Sequence, residues 1–256
     1  MCTLLLAWQV DPARPLIVAA NRDEFYARPS AAAAIWPRAS EAEPEIVAGR
    51  DLQAGGTWLG VTRAGRFAAL TNVREPNVPS PPGAPSRGQL VADFLRGGAD
   101  PASYLAALRP ELYAGFNLVV GDPDALWYLS NRSGPARALG PGVYGVANAG
   151  LDTPWPKVRR GRAALAAQVA AGEVTGAALL ALLADRTSAP DTELPDTGVG
   201  LAMERLLSPL LVASAGYGTC SSTALVIHRD GAVELHERSH NPARPGDVSL
   251  TMSRGR

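Results

Sequence analysis

From Cys2 to Val10 the chain is almost unbrokenly apolar, and it then turns at Asp11-Pro12-Ala13-Arg14. A second apolar run, Pro15 to Ala20, ends in the polar stretch Asn21-Arg22-Asp23-Glu24. Two apolar runs joined by a short turn predict a hairpin. The polar stretch is then expected at a strand end, where functional side chains commonly sit. Residues 29–44, rich in Ala, Pro and Glu, read as an irregular surface excursion. A short strand follows at Glu45 to Gly49. Beyond the Gly55-Gly56-Thr57 turn, Trp58 to Thr62 and Phe67 to Asn72 predict a second hairpin. Residues 76–85 hold five prolines and read as a loop.

Helical spacing begins at Gly88 to Arg96 and recurs at Asp100 to Leu108, where Asp100 is placed to cap a helix starting at Pro101. Phe116 to Val120, Ala125 to Leu129 and Val143 to Ala147 predict strands. Trp155 to Ala171 carries the clearest helical pattern, with further helices expected at Ala177 to Leu183 and Leu201 to Leu207. Thr223 to His228 and Ala232 to Glu237 make a last hairpin around Arg229-Asp230-Gly231. Hairpins, then helices, then hairpins again is an α+β pattern dominated by antiparallel sheet.

Composition narrows the function classes. The chain has 256 residues, 46% hydrophobic and 19% charged, enough for one large core, and a single domain over residues 1–256 is expected. The 24 basic residues balance 24 acidic ones, which argues against a general nucleic-acid binder. No run approaches the ~18 uninterrupted apolar residues of a membrane span, and Asp11 cuts short an N-terminal stretch that lacks a basic flank. A cytoplasmic protein without stable membrane insertion is expected. Two cysteines, Cys2 and Cys220, rule out a disulfide framework. His228, His236 and His240 lack zinc spacing, so neither a metal nor a cofactor is expected.

Candidate chemistry begins at Cys2. Removal of Met1 is favourable before a small residue and would leave a thiol and a free α-amine on Cys2. An α-amine with a pKa of about 7.7–8 can act as internal base for a thiol near 8.5. Cys2 also fits a small core residue that starts a strand. In the Asn21–Glu24 run, Asp23 can hold that amine, and Arg22 can bind a carboxylate or pair with Asp23 or Glu24. Asn72, shortly before Arg74, and Asn148 follow apolar runs, where a side-chain amide can donate to an oxyanion or simply serve a turn. Lys157, Arg159, Arg160 and Arg162 read as the solvated face of a helix, with an anion-binding face as the alternative.

Together these residues resemble the NRDE family, also known as the transport and Golgi organization 2 family. The resemblance rests on Met1-Cys2-Thr3, Ala20-Asn21-Arg22-Asp23-Glu24-Phe25, Gly56-Thr57-Trp58-Leu59-Gly60, Leu70-Thr71-Asn72-Val73-Arg74, the run from Asn148 to Lys157, and Tyr217-Gly218-Thr219. That family is similar in turn to cysteine-type N-terminal-nucleophile amidases. The resemblance implies a four-layer αββα sandwich of two antiparallel sheets. It implies Cys2 as nucleophile, Asp23 as the carboxylate at the amine, and Asn72 and Asn148 near the oxyanion and the amine. The amidases carry an arginine directly before their Asn-x-Asp motif, where this chain has Ala20; relatives often have an arginine after Tyr-Gly-Thr, where it has Cys220. The function implied is a cysteine amidohydrolase acting on a small amide or thioester. The alternative is a non-catalytic carrier of haem or of a lipid or acyl-CoA. Asn21, Arg22 and Arg74 are the expected ligand contacts.

Overall fold

The opening apolar run forms strand β1 (Cys2–Trp8), and β2 (Leu16–Phe25) returns beside it. Side chains alternate across a strand. Leu4, Leu6 and Trp8 therefore face one side, and Leu5 and Ala7 the other. Both sides are buried, which is why the sequence shows a continuous apolar run instead of an alternating one. The computed structural model describes residues 2–253. Met1, whose removal the N-terminal-nucleophile reading requires, lies outside the described residues.

The remaining strands are β3 (Ser30–Ile35), β4 (Ile46–Asp51), β5 (Leu59–Thr62), β6 (Phe67–Asn72), β7 (Phe116–Gly121), β8 (Leu126–Ser130), β9 (Arg137–Leu139), β10 (Gly142–Val146), β11 (Tyr217–Ile227), β12 (Val233–Ser239) and β13 (Gly246–Met252). The helices are α1 (Arg87–Arg96), α2 (Pro101–Ala107), α3 (Pro156–Ala171), α4 (Gly176–Leu183) and α5 (Leu201–Leu206). A six-stranded sheet runs β10-β1-β2-β11-β12-β13 and a seven-stranded sheet β3-β4-β5-β6-β7-β8-β9. Every pairing in both is antiparallel.

Three apolar layers hold the sandwich together. Leu6, Val18, Val61, Phe67, Val119 and Leu225 fill the space between the sheets. Leu90, Phe94 and Leu95 of α1 pack on the outer face of the seven-stranded sheet against Ala68, Leu118 and Val120. Leu165 of α3 and Leu179 and Leu183 of α4 cover the outer face of the six-stranded sheet. This is the expected αββα order. Asp100 caps α2 as expected, its carboxylate accepting from Ser103 N at 2.9 Å.

The structure differs from the sequence expectation in three places that matter. Strand β2 does not stop before Asn21 but runs on to Phe25. Both flanks supply ladder partners there: Cys2 lies opposite Arg22, and Gly218 and Thr219 lie opposite Glu24 and Asp23. The polar run is thus mid-sheet, with Asn21, Arg22 and Asp23 1%, 6% and 1% exposed. The excursion at residues 29–44 contains β3. In β11 the register shifts between Thr219 and Ser221, making Cys220 the extra residue of a bulge.

Candidate active site

Extended antiparallel pairing places directly opposed side chains on the same face. Cys2 and Arg22 are opposed, and both face the space between the sheets, in line with Leu4 and Ala20. Arg22 therefore stands beside the thiol although the position before the motif is Ala20. Trp58, just ahead of β5 on the other sheet, receives the guanidinium on its ring at 4.4 Å from the centroid. Here the sheets part into a cavity of about 440 Å³, lined by Cys2, Arg22, Asp23, Trp58, Asn72 and Arg87 among others. Cys2 is half-buried on its wall. Burial pushes its thiol above the ordinary cysteine value, with Asp23 adding to the rise and Arg22 opposing it.

Asn21 and Asp23 project from the opposite face of β2, toward the α3–α4 layer. Asp23 Oδ1 accepts from Thr219 Oγ1 at 2.7 Å, and Thr219 Oγ1 accepts from Val212 N at 2.9 Å. Burial raises the Asp23 carboxyl above its ordinary value, and the cations Lys157 and Arg74 pull against that rise.

Lys157 is the residue that the sequence reading missed. It is not on a solvated face: it is 2% exposed, and its ammonium has no hydrogen-bond partner among the described residues. Its pKa falls to about 8 because burial disfavours the charge, while Asp23 is first among the groups that oppose the fall. Helix α3 reaches this depth because Gly161 lies flat on β1, where a Cβ would stand 2.7 Å from Leu5 Cδ1. Pro156 at the first helical position and buried Trp155 seat the helix start. The signal was present in the spacing. Lys157, Gly161 and Leu165 recur at i, i+4 and i+8, on one buried stripe. Arg159 and Arg160 instead point outward, to Glu193 and Asp185.

The two asparagines are joined. Asn148 Nδ2 donates to the Asn72 carbonyl at 2.8 Å, while Asn148 Oδ1 is buried with no partner among the described residues. Asn72 lines the cavity, and Asn148 is fully buried behind it. Asn21 and Arg74 lie away from the cavity. Asn21 Nδ2 donates to the Leu183 and Leu210 carbonyls, and its Oδ1 accepts from Ser222 Oγ. Arg74 pairs with Glu204 at 2.7 Å and stacks over Trp155, tying the segment after β6 to α5. Neither lines the cavity at Cys2, and Arg74 borders a separate small pocket with Trp155 and Lys157.

Across the cavity, the Gly55-Gly56-Thr57 turn seats the start of α1. Thr57 N donates to the Gly88 carbonyl at 3.1 Å, and Gly56 holds a left-handed φ of +74° against the Gly88 backbone. A Cβ at Gly56 would overlap that backbone in a conformation that L-residues disfavour. Gly56→Ala is expected to destabilise the protein by about 2 kcal/mol or more. A lowered urea midpoint at unchanged slope checks this, and an unchanged midpoint would show that the turn tolerates a side chain.

Among the described residues no cluster of three or more His, Cys, Asp or Glu is arranged to hold a metal, and no helix is long and apolar enough to cross a membrane.

Comparison with known proteins agrees with this architecture. Residues 1–242 match the family model described as Transport and Golgi organisation 2. The chain is 37% identical over 262 residues to the Transport and Golgi organization protein 2 homolog of Bos taurus, covering 93% of each chain. It is 36% identical to the Homo sapiens homolog over the same shares. Among solved structures, a mutant conjugated bile acid hydrolase from Clostridium perfringens superposes with a TM-score of 0.57 at 8% identity, covering 98% of this chain and 92% of that one. At that identity the likeness is one of fold.

Proposed function

The chain belongs to the transport and Golgi organisation 2 family, and from that membership and its amidase-like scaffold we propose that it is an N-terminal cysteine amidohydrolase acting on a small amide or thioester. The observation that carries this reading is the meeting of Cys2, Arg22 and Asn72 on one cavity, with Asp23 and Asn148 buried behind them.

In this mechanism Met1 is removed and the Cys2 α-amine becomes the base. The thiol is pushed up by burial, so it needs that base at neutral pH. The Cys2 proton passes to the amine as Sγ bonds to the substrate carbonyl carbon, and the carbonyl oxygen becomes an oxyanion. Collapse breaks the C–N or C–S bond, and the leaving group takes the proton from the ammonium. Water then attacks the acyl-enzyme thioester and gives a proton to the amine. The S–C bond breaks, Cys2 regains its proton, and a carboxylic acid departs.

The donor and acceptor inventory divides the asparagines. The Asn72 amide, on the cavity wall, donates to the oxyanion. Asn148, with Nδ2 on Asn72 and Oδ1 free as a buried acceptor, receives an N–H of the α-amine. Asp23, fixed by Thr219, orients the same amine.

Acid quench during turnover of a butyryl thioester tests the reading. It should show a butyryl adduct on the peptide that begins at Cys2. Turnover with no adduct there would count against the mechanism. A carrier of haem or acyl-CoA would bind through the same Arg22 and form no adduct.

A further inference from the structure

We propose that the cavity beside Cys2 selects substrates with a carboxylate close to the reacting carbonyl, held between Arg22 and Arg87. This rests on the hydrolase reading for the carbonyl chemistry, while the anion site itself stands on its own observations.

Arg22 is 6% exposed, yet its guanidinium has no hydrogen bond and no close ion pair among the described residues; it stacks on the Trp58 ring, with Glu237 acting on it at longer range. A buried charge is ordinarily paired or fully hydrogen-bonded. Stacking on Trp58 fixes the plane of the guanidinium and leaves its N–H edges for a ligand. That rigid fork matches a carboxylate.

Arg87 stands on the opposing wall of the cavity. One of its N–H groups donates to the Gly115 carbonyl at 2.9 Å, and no carboxylate lies within ion-pair distance of it among the described residues. It is the first residue of α1, where the helix dipole disfavours a cation. Helix stability therefore does not account for it. Burial lowers its pKa, and Cys2 is foremost among the groups opposing that shift, which puts the guanidinium within electrostatic reach of the thiol.

The carboxylates nearby are already engaged. Asp51 pairs with Arg28 at 2.8 Å, Glu24 lies 4.0 Å from the same arginine, and Glu75 pairs with Arg132 at 2.7 Å. Asp23 serves the other face of β2. Glu237 is the carboxylate that acts on Arg22 from longer range, and it already accepts from Ala33 N and Thr223 Oγ1. Among the described residues neither Arg22 nor Arg87 has a carboxylate within ion-pair distance, and both line the cavity with Cys2. The rest of the wall is small or polar, with Thr57, Ser80, Gly83 and Ser86. About 440 Å³ lies toward the low end of ligand pockets. Both features favour a short acyl group over a long chain.

The test has a binding arm and a turnover arm. Calorimetry on the full chain should show succinate binding, with butyramide at least tenfold weaker. Arg22→Met and Arg87→Met should each weaken succinate about ten- to hundredfold, the worth of a hydrogen bond to a charged group. Arg22→Lys should recover part of the loss, and Arg87→Met gives the answer even where Arg22→Met fails to fold. In turnover, succinyl-4-nitroanilide should be preferred over its near-isostere butyryl-4-nitroanilide if the carboxylate sits on the acyl side. N-butyrylglycine should be preferred over N-butyrylethylamine if it sits on the leaving-group side. Equal affinity for succinate and butyramide, or arginine variants that leave succinate binding unchanged, would overturn the inference. Selective succinate binding without turnover keeps the anion site and removes the hydrolase reading. Cys2-dependent turnover with no charge preference does the reverse.

Discussion

Cys2→Ala is expected to lower hydrolysis by about 10⁴-fold or more, the scale seen when a covalent nucleophile is removed from a cysteine or serine hydrolase, and to abolish the acyl adduct. The substitution removes one sulfur from the cavity wall and leaves the β1–β2 ladder untouched, so folding should be preserved. Strand β1 buries Leu4, Leu5, Leu6 and Trp8 independently of the thiol. Unfolding midpoints within about 0.5 kcal/mol of the parent would separate lost chemistry from lost structure. Cys220 supplies an internal comparison. Its thiol is 5% exposed, is also pushed up by burial and contacts the Glu24 carbonyl. Cys220→Ala should therefore retain turnover. Activity that survives Cys2→Ala would remove Cys2 from the mechanism.

A second large effect should appear as a pH slope set by Lys157. Its ammonium titrates near 8 in the folded protein, against an ordinary 10.5. The groups facing it are Asp23 of β2, Arg74 after β6, Cys2 of β1 and Glu204 of α5. Between pH 8 and 10.5 the unfolded chain holds the Lys157 proton more tightly than the folded one, so stability rises with pH in that window. The buried thiols of Cys2 and Cys220 are pushed up and act in the opposite sense once the unfolded cysteines ionise, at about 8.5. Lys157→Met carries the same thiols, so the difference between the two proteins from pH 8 to 9 isolates Lys157. Relative to Lys157→Met, the parent should gain about 1 kcal/mol of unfolding free energy across that interval. Urea unfolding of both proteins at the two pH values measures it. Parallel behaviour would mean that Lys157 keeps an ordinary pKa. The slope matters functionally because Lys157 is the largest cationic influence on Asp23, the residue proposed to orient the base.

Much of this architecture could be read from the residue pattern, and the exceptions have physical causes. Apolar runs and turn residues located most strands and all five helices to within a few positions. The polar run at residues 21–24 was expected at a strand end because charge usually marks the edge of a buried strand. Here β1 and β11 satisfy its backbone, and a cavity on one face and polar partners on the other receive its side chains. Strand β9 spans three residues, too few for a periodic signal. Strand β13 did carry one: Val248, Leu250 and Met252 alternate with polar residues, and Leu250 and Met252 reach the inter-sheet core.

The site divides in the same way. Polar residues after apolar runs, together with the family resemblance, brought Cys2, Asp23, Asn72 and Asn148 into consideration; Cys2, Asp23 and Asn72 line one cavity, and Asn148 is bonded to Asn72. Arg87 lay in a helix start whose first residue faces the cavity, which no linear motif reveals. Lys157 sat among three arginines, and the charge run hid the buried stripe it shares with Gly161 and Leu165. Asn21 and Arg74 belong to the motifs that carry the resemblance, but alternation along β2 turns Asn21 to the Leu183 and Leu210 carbonyls, and Arg74 pairs with Glu204.

Cys2 can be an N-terminal nucleophile only if Met1 is removed, and the mass of the intact protein purified from cells measures that removal. The expected mass is lower than that of the full sequence by one methionine residue, with substoichiometric iodoacetamide modifying the peptide that begins at Cys2. A protein that retains Met1 while hydrolysing its substrate would rule out this chemistry, because the amine proposed as base would then be locked in a peptide bond.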